Sequence, residues 1–452
     1  MKLIRLSIII VSQLYVLLSQ SMPNHFFLYK SRKLLSDAGS KWETLTNFGT
    51  IRFDMEDGDQ DSNNKKSLNI KGRVGLSNEN DIPLLYGYST LRYNDYFFAY
   101  IYPTYTNKIK NNVRLNYRKA DFHSMHEDIS GIGFENRWAI LQIARGRENW
   151  GAGNDIQLAL SNNSSPYDYF LLASDYGKIR VRYIHGFLEN ILGNINRYIT
   201  ARGLEWTNRK SLIIGLSESI IYSGENRSFD IGYLNPMASH LEVELNNRLM
   251  IPGGSHANAV WQIHLDYLYN NRFRFSGNYL YDEFVIDNIE KEDGKEHGRA
   301  YSMKLAYTPI FSTKHLLTVY SSIIYVGTPT FRHSLGTNNF VSQGGPLGWY
   351  KGSDGQEVSI GLNYYNHDNI IVSASTGIFQ SGEESILSRA YEPYKDYLKG
   401  TFPSGEVNDM IFFDIYFDFM WKKYLSFSAG MHWYEKYGIT RGLDLIFSIN
   451  LF

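Results

Sequence analysis

The chain has 452 residues. Without an N-terminal export segment of about 20 residues it is still too long for one ordinary soluble domain, but it fits two or three soluble domains or one large all-β unit. The formal net charge is -1, from 45 Lys and Arg against 46 Asp and Glu, which disfavours a nucleic-acid partner. Cysteine is absent, which excludes disulfides, a thiol nucleophile and a lipid-anchoring cysteine.

The first 20 residues predict a secretory signal peptide, although they do not define its cleavage point. Lys2 and Arg5 precede a mostly apolar run at 6–18, and small or polar residues follow it. No later stretch approaches the length of apolar sequence that a membrane-spanning helix needs. The mature chain is therefore either secreted and soluble, or a membrane protein built from strands.

Alternation of apolar and polar residues distinguishes these two classes, because a strand with one apolar and one wet face shows a period of two. Trp261, Ile263 and Leu265 alternate with Gln262 and His264, and the same pattern recurs along much of the chain. Tyr and Trp are concentrated at the ends of the predicted strands, where the aromatic girdles of membrane barrels lie. The pattern favours a transmembrane barrel over a soluble sandwich.

Loop lengths give a second indication. In the C-terminal part, strands are predicted at 260–269, 273–281, 300–308, 316–326, 356–365, 370–379, 410–420, 425–434 and 442–451. The connections between them alternate between turns of a few residues and long polar loops at 282–299, 327–355 and 380–409. The sequence therefore predicts an all-β fold, a transmembrane antiparallel β-barrel of roughly 18 strands with short periplasmic turns and long external loops.

The expected domain organisation has three parts. Residues 1–20 form the signal peptide, 21–46 a periplasmic N-terminal segment with a short helix, and 47–452 the outer-membrane barrel. The helix is predicted at 25–38, because this stretch lacks strand alternation and is followed by Gly39. The predicted location is the outer membrane of a Gram-negative bacterium, reached with the help of the outer-membrane assembly machinery.

The segment 146–168 is the richest in candidate binding groups. Trp150 offers a ring for stacking on a sugar, Arg147 and Glu148 offer a charge pair, and Asn162 and Asn163 offer amides. The strand count places this loop at the external mouth. The alternative is a structural loop that folds into the barrel and seals it through an Arg147–Glu148 network. No catalytic residue, metal site or cofactor is predicted, because no motif meets the spacing that such a site requires.

The same segment resembles the signature of the capsule assembly Wzi family, which runs G-R-x-x-x-W-G-x-G and then L-x-L-S-N-N. Segments at 202–206, 215–219, 232–236 and 281–287 are similar to the family in content and order. The resemblance implies a barrel of about eighteen strands with a small periplasmic helical element, acting as a surface lectin that tethers capsular polysaccharide. It adds Trp206, Asp282 and Asp287 to the candidate polysaccharide-binding residues.

Three functions follow from these patterns. The first is a non-enzymatic outer-membrane barrel that holds or helps assemble capsular or extracellular polysaccharide. The second is a channel for an anionic solute, with a lumen lined by cationic side chains at Lys178, Arg180, Arg182, Arg272 and Arg274. The third is a barrel-borne surface hydrolase with a Ser, His and carboxylate site at its rim. The expected partners are the polysaccharide and outer-membrane lipid.

Overall fold

The computed structural model describes residues 26–38, 68–79, 82–94, 96–106, 124–136, 138–246, 248, 257–283, 297–393, 402–422, 424–435 and 439–450. The signal peptide predicted at 1–20 lies outside these residues. The strands are β1 Leu68–Glu79, β2 Ile82–Tyr93, β3 Phe97–Thr106, β4 Ser124–Glu135, β5 Ala139–Gly146, β6 Tyr167–Asp175, β7 Ile179–Ile191, β8 Ile195–Thr207, β9 Leu212–Glu225, β10 Ala257–Tyr269, β11 Phe273–Glu283, β12 Gly298–Phe311, β13 Leu316–Val326, β14 Val341–Ser342, β15 Gly345–Pro346, β16 Gly355–Tyr365, β17 Ile370–Ser381, β18 Asn408–Trp421, β19 Leu425–Glu435 and β20 Ile439–Asn450. The α-helices are α1 Phe27–Asp37 and α2 His240–Leu245.

Eighteen of these strands form one antiparallel sheet, and β14 and β15 form a separate small hairpin. The sheet is closed, because β1 pairs with β20 as well as with β2. Every barrel strand therefore has two neighbours, which leaves no free edge in the membrane. The prediction of an antiparallel barrel of roughly 18 strands is confirmed.

The two ends of the barrel carry different connections. At one end, here called the short-turn end, the connections are 94–96, 136–138, 176–178, 208–211, 270–272, 312–315, 366–369 and 422–424. Asn270 and Asn271 both have positive φ, 50° and 52°, which asparagine tolerates in tight turns. The opposite end, here called the loop end, includes the long connections 147–166, 226–256, 327–354 and 382–407.

Side chains alternate between the outer wall and the lumen. On β10, Ile263 and Tyr267 are exposed on the outside, whereas His264 and Asp266 are completely buried on the inside. This is the pattern that the sequence alternation predicts for a wall between lipid and a polar interior. Exposed aromatic residues encircle the short-turn end, at Tyr93, Tyr96, Phe97, Trp138, Tyr176, Tyr269, Trp421 and Tyr424.

The helix predicted at 25–38 is present as α1, and it lies inside the barrel at the short-turn end. Phe27 and Leu34, seven residues apart, are buried on one side of the helix. The Phe27 ring lies 6.2 Å from that of Tyr365 at the base of β16, and Lys30 Nζ is 2.6 Å from Asp418 of β18. Among the described residues, neither α-helix has the length and hydropathy needed to cross a membrane.

Residues 226–246, here called the outer segment, contain α2 and the 3₁₀ helix Ile231–Leu234. They fold back over the outside of the wall and do not enter the lumen. Tyr233 and Val243 of this segment pack on Tyr222 of β9, in a buried cluster separate from the lumen core. The two kinds of long connection therefore go to opposite faces of the same wall.

Candidate functional site in the lumen

The 147–166 loop enters the lumen and is bound there by inward-facing polar side chains. Asn278 of β11 accepts a hydrogen bond from Ala152 N at 2.7 Å and donates to Ala152 O at 2.9 Å and to Ile156 O at 3.3 Å. Ser302 of β12 donates to Ile156 O at 2.6 Å. These bonds satisfy backbone groups that water would otherwise have to satisfy. They hold the loop against β11 and β12, six strands around the barrel from β5 and β6, which the loop connects.

A buried ion pair fixes the start of this loop. Arg182 of β7 donates from Nε to Glu148 Oε2 at 2.9 Å and from Nη2 to Oε1 at 3.1 Å. Trp150 Nε1 also donates to Glu148 Oε2, at 2.8 Å, and the Trp150 side chain is only 1% exposed. Arg147 instead donates to Ser164 O at 2.6 Å. The loop therefore folds inward, as in the structural alternative, but the partner of Glu148 is Arg182.

The 327–354 loop, here called the upper loop, packs on the 147–166 loop from the loop end. Ser161 N donates to Leu347 O at 2.9 Å, and Trp349 N donates to Leu158 O at 3.2 Å. Arg197 of β8 is fully buried and binds the backbone of the upper loop. Its guanidinium donates to the carbonyl oxygens of Thr337, Val341 and Asn339, at 2.6, 2.8 and 2.5 Å.

Helix α1 meets the 147–166 loop from the short-turn end. Asn154 Nδ2 donates to Asp37 Oδ1 at 2.9 Å, and Lys33 Nζ lies 2.5 Å from Asp155 Oδ1. The protein atoms that surround Asp155 in the lumen displace bulk water and tend to raise its pKa, even though its carboxylate stays accessible, but the charges of Lys33 and Lys304 hold that pKa below its ordinary value. Burial tends to lower the pKa of Lys33, and the Asp155 carboxylate more than compensates, so the pKa is raised.

The other predicted binding residues are dispersed. Asn162 donates to the Tyr29 hydroxyl of α1 at 2.6 Å, and Asn163 is exposed. Asp282 accepts a hydrogen bond from Phe331 N in the upper loop. Trp206 is 39% exposed on the outer wall near the short-turn end, because it shares the outward phase of β8 with Leu204, so the structure does not bring it together with the other candidate polysaccharide-binding residues. Asp287 lies outside the described residues.

Three of the five predicted lumen-lining cations do face inward, and each is paired with a carboxylate. Arg180 lies 3.1 Å from Asp175, Arg182 pairs with Glu148, and Arg274 donates from Nε to Asp266 at 2.8 Å. The assignment is wrong for Lys178 and Arg272. They lie in the turns 176–178 and 270–272 at the short-turn end, just before the strands begin, and both are exposed.

On the side of the lumen formed by β16–β19, several inward-facing side chains between mid-depth and the loop end are only partly buried. They combine aromatic rings with carboxylates, and they are Glu357, Asp414, Tyr416, His432 and Tyr434. Tyr350 of the upper loop, itself 39% exposed, donates to Glu357 at 2.7 Å, and Asp155 is 71% exposed although it lies within the barrel. Helix α1 and the loops 147–166 and 327–354 together form a plug in the lumen. This plug leaves an accessible space along the β16–β19 wall, here called the lumen cleft.

The lumen cleft ends towards the short-turn end on buried residues and on α1. Asp418 of β18 lies two residues closer to the short-turn end than Tyr416. It is almost completely buried, and Lys30 of α1 covers it. Within the cleft, His432 Nδ1 lies 2.7 Å from Asp414, and His432 Nε2 lies 3.2 Å from the Tyr416 hydroxyl. Aromatic faces beside carboxylates and hydroxyls are the groups that bind sugar C–H surfaces and hydroxyls.

Most of the residues that build the plug and the lumen cleft were not predicted from the sequence. Asn278 was visible only as a polar position in the alternation of β11, and Asp155, which lies in a loop, carried no signal of its own. A charged residue in the inward phase of a strand does point to a lumen partner, and Arg197 meets that criterion. Within the described part of the chain, no group of three His, Asp or Glu side chains is arranged to hold a metal ion.

No family model and no curated protein match the sequence. Solved structures do match the fold. Wzi of Escherichia coli, described as an outer-membrane protein involved in group 1 capsule assembly and as a carbohydrate-binding β-barrel, is similar with a TM-score of 0.60 and 11% identity, over 85% of this chain and 84% of Wzi. OccAB1 of Acinetobacter baumannii matches with a TM-score of 0.45 and 9% identity, over 86% of this chain and 97% of its own. OccK2 of Pseudomonas aeruginosa matches with a TM-score of 0.46 and 10% identity, over 85% and 98%. The chain has the fold of an outer-membrane β-barrel.

Proposed function

We propose that this protein is a non-enzymatic outer-membrane barrel of the Wzi type that holds or helps assemble capsular or extracellular polysaccharide. The observation that carries the proposal is the closed lumen. Helix α1 and the loops 147–166 and 327–354 fill the barrel and are fixed to its wall by buried ion pairs and backbone hydrogen bonds. A barrel closed in this way suits a protein that retains a polymer at the cell surface better than one that conducts solutes.

The chemistry of the lumen cleft supports a carbohydrate ligand. Tyr434, Tyr416 and Tyr350 supply rings for stacking, and Glu357 and Asp414 supply acceptors for sugar hydroxyls. The similarity in fold to Wzi, which is described as carbohydrate-binding, supports the same ligand class. The exposed amide of Asn163 is a further candidate contact. Trp150, which is buried, is assigned to the plug.

The anionic-solute channel is the weaker alternative. A cationic lumen requires positive side chains that are not neutralised, and Arg180, Arg182 and Arg274 each lie against a carboxylate. Single-channel recording of the full chain in planar bilayers tests this alternative, and we expect the barrel to remain closed. Steady conductance with selectivity for anions would replace the binding proposal with the channel.

Binding itself is tested with the full chain in lipid nanodiscs against an array of bacterial capsular and extracellular polysaccharides. We expect at least one polysaccharide to bind, without release of shorter saccharides. Tyr434→Ala should weaken that binding by about two- to tenfold, because a lost stacking contact is worth about 0.5 to 1.5 kcal/mol. Tyr364→Ala is the matched control, because Tyr364 lies in the outward phase of β16. Release of saccharides would indicate the hydrolase, and equal affinities of both variants would exclude the lumen cleft as the binding site.

A further inference from the structure

Two charged side chains face outward on the barrel wall at a height where other strands present apolar residues to lipid. Arg202 shares the outward phase of β8 with Leu204, and Glu218 shares that of β9 with Leu216. The two side chains form an ion pair across the strands, with Arg202 Nε 3.2 Å from Glu218 Oε2.

The height of this pair follows from strand geometry. Arg202 lies five residues above the end of β8 at Thr207, and Glu218 six residues above the start of β9 at Leu212. A tilted strand rises roughly 2.5 Å per residue along the membrane normal, so the pair lies about 12 to 15 Å above the short turns. The apolar band of an outer-membrane barrel is about 25 Å tall. The pair is thus within the depth of the membrane, where exposed charges are unfavourable.

The outer segment covers this pair. Arg202 Nη1 donates to Asn235 O at 3.1 Å, and His240 Nδ1 lies 2.8 Å from Glu218 Oε1. Above the pair, the Tyr233 ring stacks on Tyr222 of β9 with centroids 4.8 Å apart. The inner face of the outer segment therefore separates the polar part of the wall from its surroundings.

The other face of the outer segment is apolar and exposed. Met237 is 85% exposed and Leu245 is 77% exposed, and Phe229, Ile231 and Leu241 are exposed beside them. The apolar belt of the wall continues directly below, with Leu204 and Leu216 exposed on the strands that the outer segment covers. Glu242 of the segment pairs with Arg248, two residues beyond its end, and Arg227 and Asp230 pair with each other and are buried.

We propose that the outer segment is a lipid-contacting element of the outer leaflet, whose Met237, Leu241 and Leu245 side chains rest against acyl chains. It continues the lipid-facing surface over a region where the wall itself is polar. The exposed aliphatic side chains of the outer segment continue the apolar belt below them. This continuity identifies lipid as the partner that contacts the exposed face of the segment. A short helix with one apolar face and charges at its edge is typical of segments that lie in a membrane interface.

The absence of cysteine from the chain allows a direct test with single-cysteine variants. Met237→Cys and Leu245→Cys, each labelled with an environment-sensitive fluorophore, are refolded as the full chain into bilayers. Quenching is measured with brominated acyl chains and, separately, with iodide in the aqueous phase. Ile263→Cys on the outer wall of β10 is the lipid control. Leu192→Cys is the aqueous control, because Leu192 is 97% exposed at the tip of the β7–β8 hairpin.

We expect the probes at 237 and 245 to lose as much fluorescence to brominated lipid as the Ile263 probe, and to be protected from iodide relative to the Leu192 probe. Strong quenching by iodide with none by brominated lipid would overturn the proposal, because it would place the segment in water. Protection from both quenchers would also overturn it, because it would show that protein, such as a second copy, covers the face.

Only barrels that keep the heat-sensitive electrophoretic mobility of the folded protein are measured, and a Leu241→Cys variant provides a third position if either of the first two does not fold. A loss of polysaccharide binding would leave these results unchanged, so this proposal and the proposed function are tested independently.

Discussion

The Arg182 guanidinium engages both oxygens of the Glu148 carboxylate, at 2.9 and 3.1 Å, and the Trp150 indole donates to one of the same oxygens. The pair joins the wall at β7 to the beginning of the 147–166 loop. Because both side chains are almost completely buried, either one alone would be an uncompensated charge in the lumen. The position of the loop inside the barrel therefore depends on a charge supplied by the wall.

Arg182→Ala should lower the free energy of unfolding by about 3 to 5 kcal/mol, the usual cost of leaving one partner of a buried ion pair unpaired. Unfolding in denaturant, followed by tryptophan fluorescence in detergent micelles, measures the change. Arg145→Ala is the control, because the Arg145–Asp168 pair is exposed and should contribute about 0 to 1 kcal/mol. Similar small losses in the two variants would show that the Arg182–Glu148 pair does not hold the loop.

Gly348→Ala tests the packing of the two lumen loops. A Cβ atom at Gly348 would lie 1.6 Å from the carbonyl oxygen of Leu158, so the backbones must separate. We expect a loss of about 1 to 3 kcal/mol from overpacking, together with brief openings in planar bilayer recordings that the unmodified barrel lacks. Gly87→Ala is the control, because its nearest neighbour, Pro103 Cγ, is 3.6 Å away. A Gly348→Ala barrel as closed and as stable as the control would contradict this account of the plug.

The barrel could be predicted from the sequence because strand alternation is local. The phase of Ile263 and His264 on β10 follows from their immediate neighbours, and so do the turn at Asn270 and Asn271 and the strand count. Helix α1 was also detectable, because the absence of alternation at its position is a local property.

The position of the long loops in the folded barrel could not be predicted, because it depends on partner residues that are far away in the sequence. Asn278 binds Ala152, 126 residues away, and nothing near either residue identifies the other. The sequence therefore left open whether the 147–166 loop was a sugar site or a plug. Arg202 and Glu218 show where a signal was available, since charges in the lipid-facing phase of two adjacent strands indicate that something must cover them.

The docking of α1 should depend on pH through the Lys33–Asp155 pair. The pKa of Asp155 is lowered in the folded protein, so the stability it contributes is present above the ordinary carboxyl pKa near 3.8 and is lost as the pH falls through the lowered value. The pKa of Lys33 is raised, so its contribution is present below the ordinary value of 10.5 and is lost only as the pH rises through the raised value.

We therefore expect α1 to be protected from protease between about pH 5 and 10 and to become increasingly cleavable in micelles as the pH falls below the ordinary carboxyl value of 3.8. The assay uses pepsin in acid and a broad-specificity protease at higher pH, each at matched activity. Asp155→Asn should make α1 more cleavable at pH 7 and should reduce the additional effect of acid. If acid increases cleavage equally in the variant and the unmodified protein, other groups control the docking of α1.

Ile263→Arg tests the membrane-facing assignment of the wall. Ile263 is exposed on the outer face of β10, six residues above Tyr269, which is about 15 Å above the short turns and therefore near the middle of the ~25 Å apolar band. An arginine there should reduce the free energy of folding into phospholipid vesicles by about 2 to 4 kcal/mol. Leu192→Arg is the matched control: the residue is also apolar and even more exposed, but it lies at a hairpin tip beyond the band, so the change should cost less than about 0.5 kcal/mol. Folding is measured by denaturant titration in vesicles and repeated in detergent micelles, where the arginine can reach water more easily and the difference between the variants should shrink. Equal costs at the two positions in vesicles would mean that the exposed apolar belt does not face lipid.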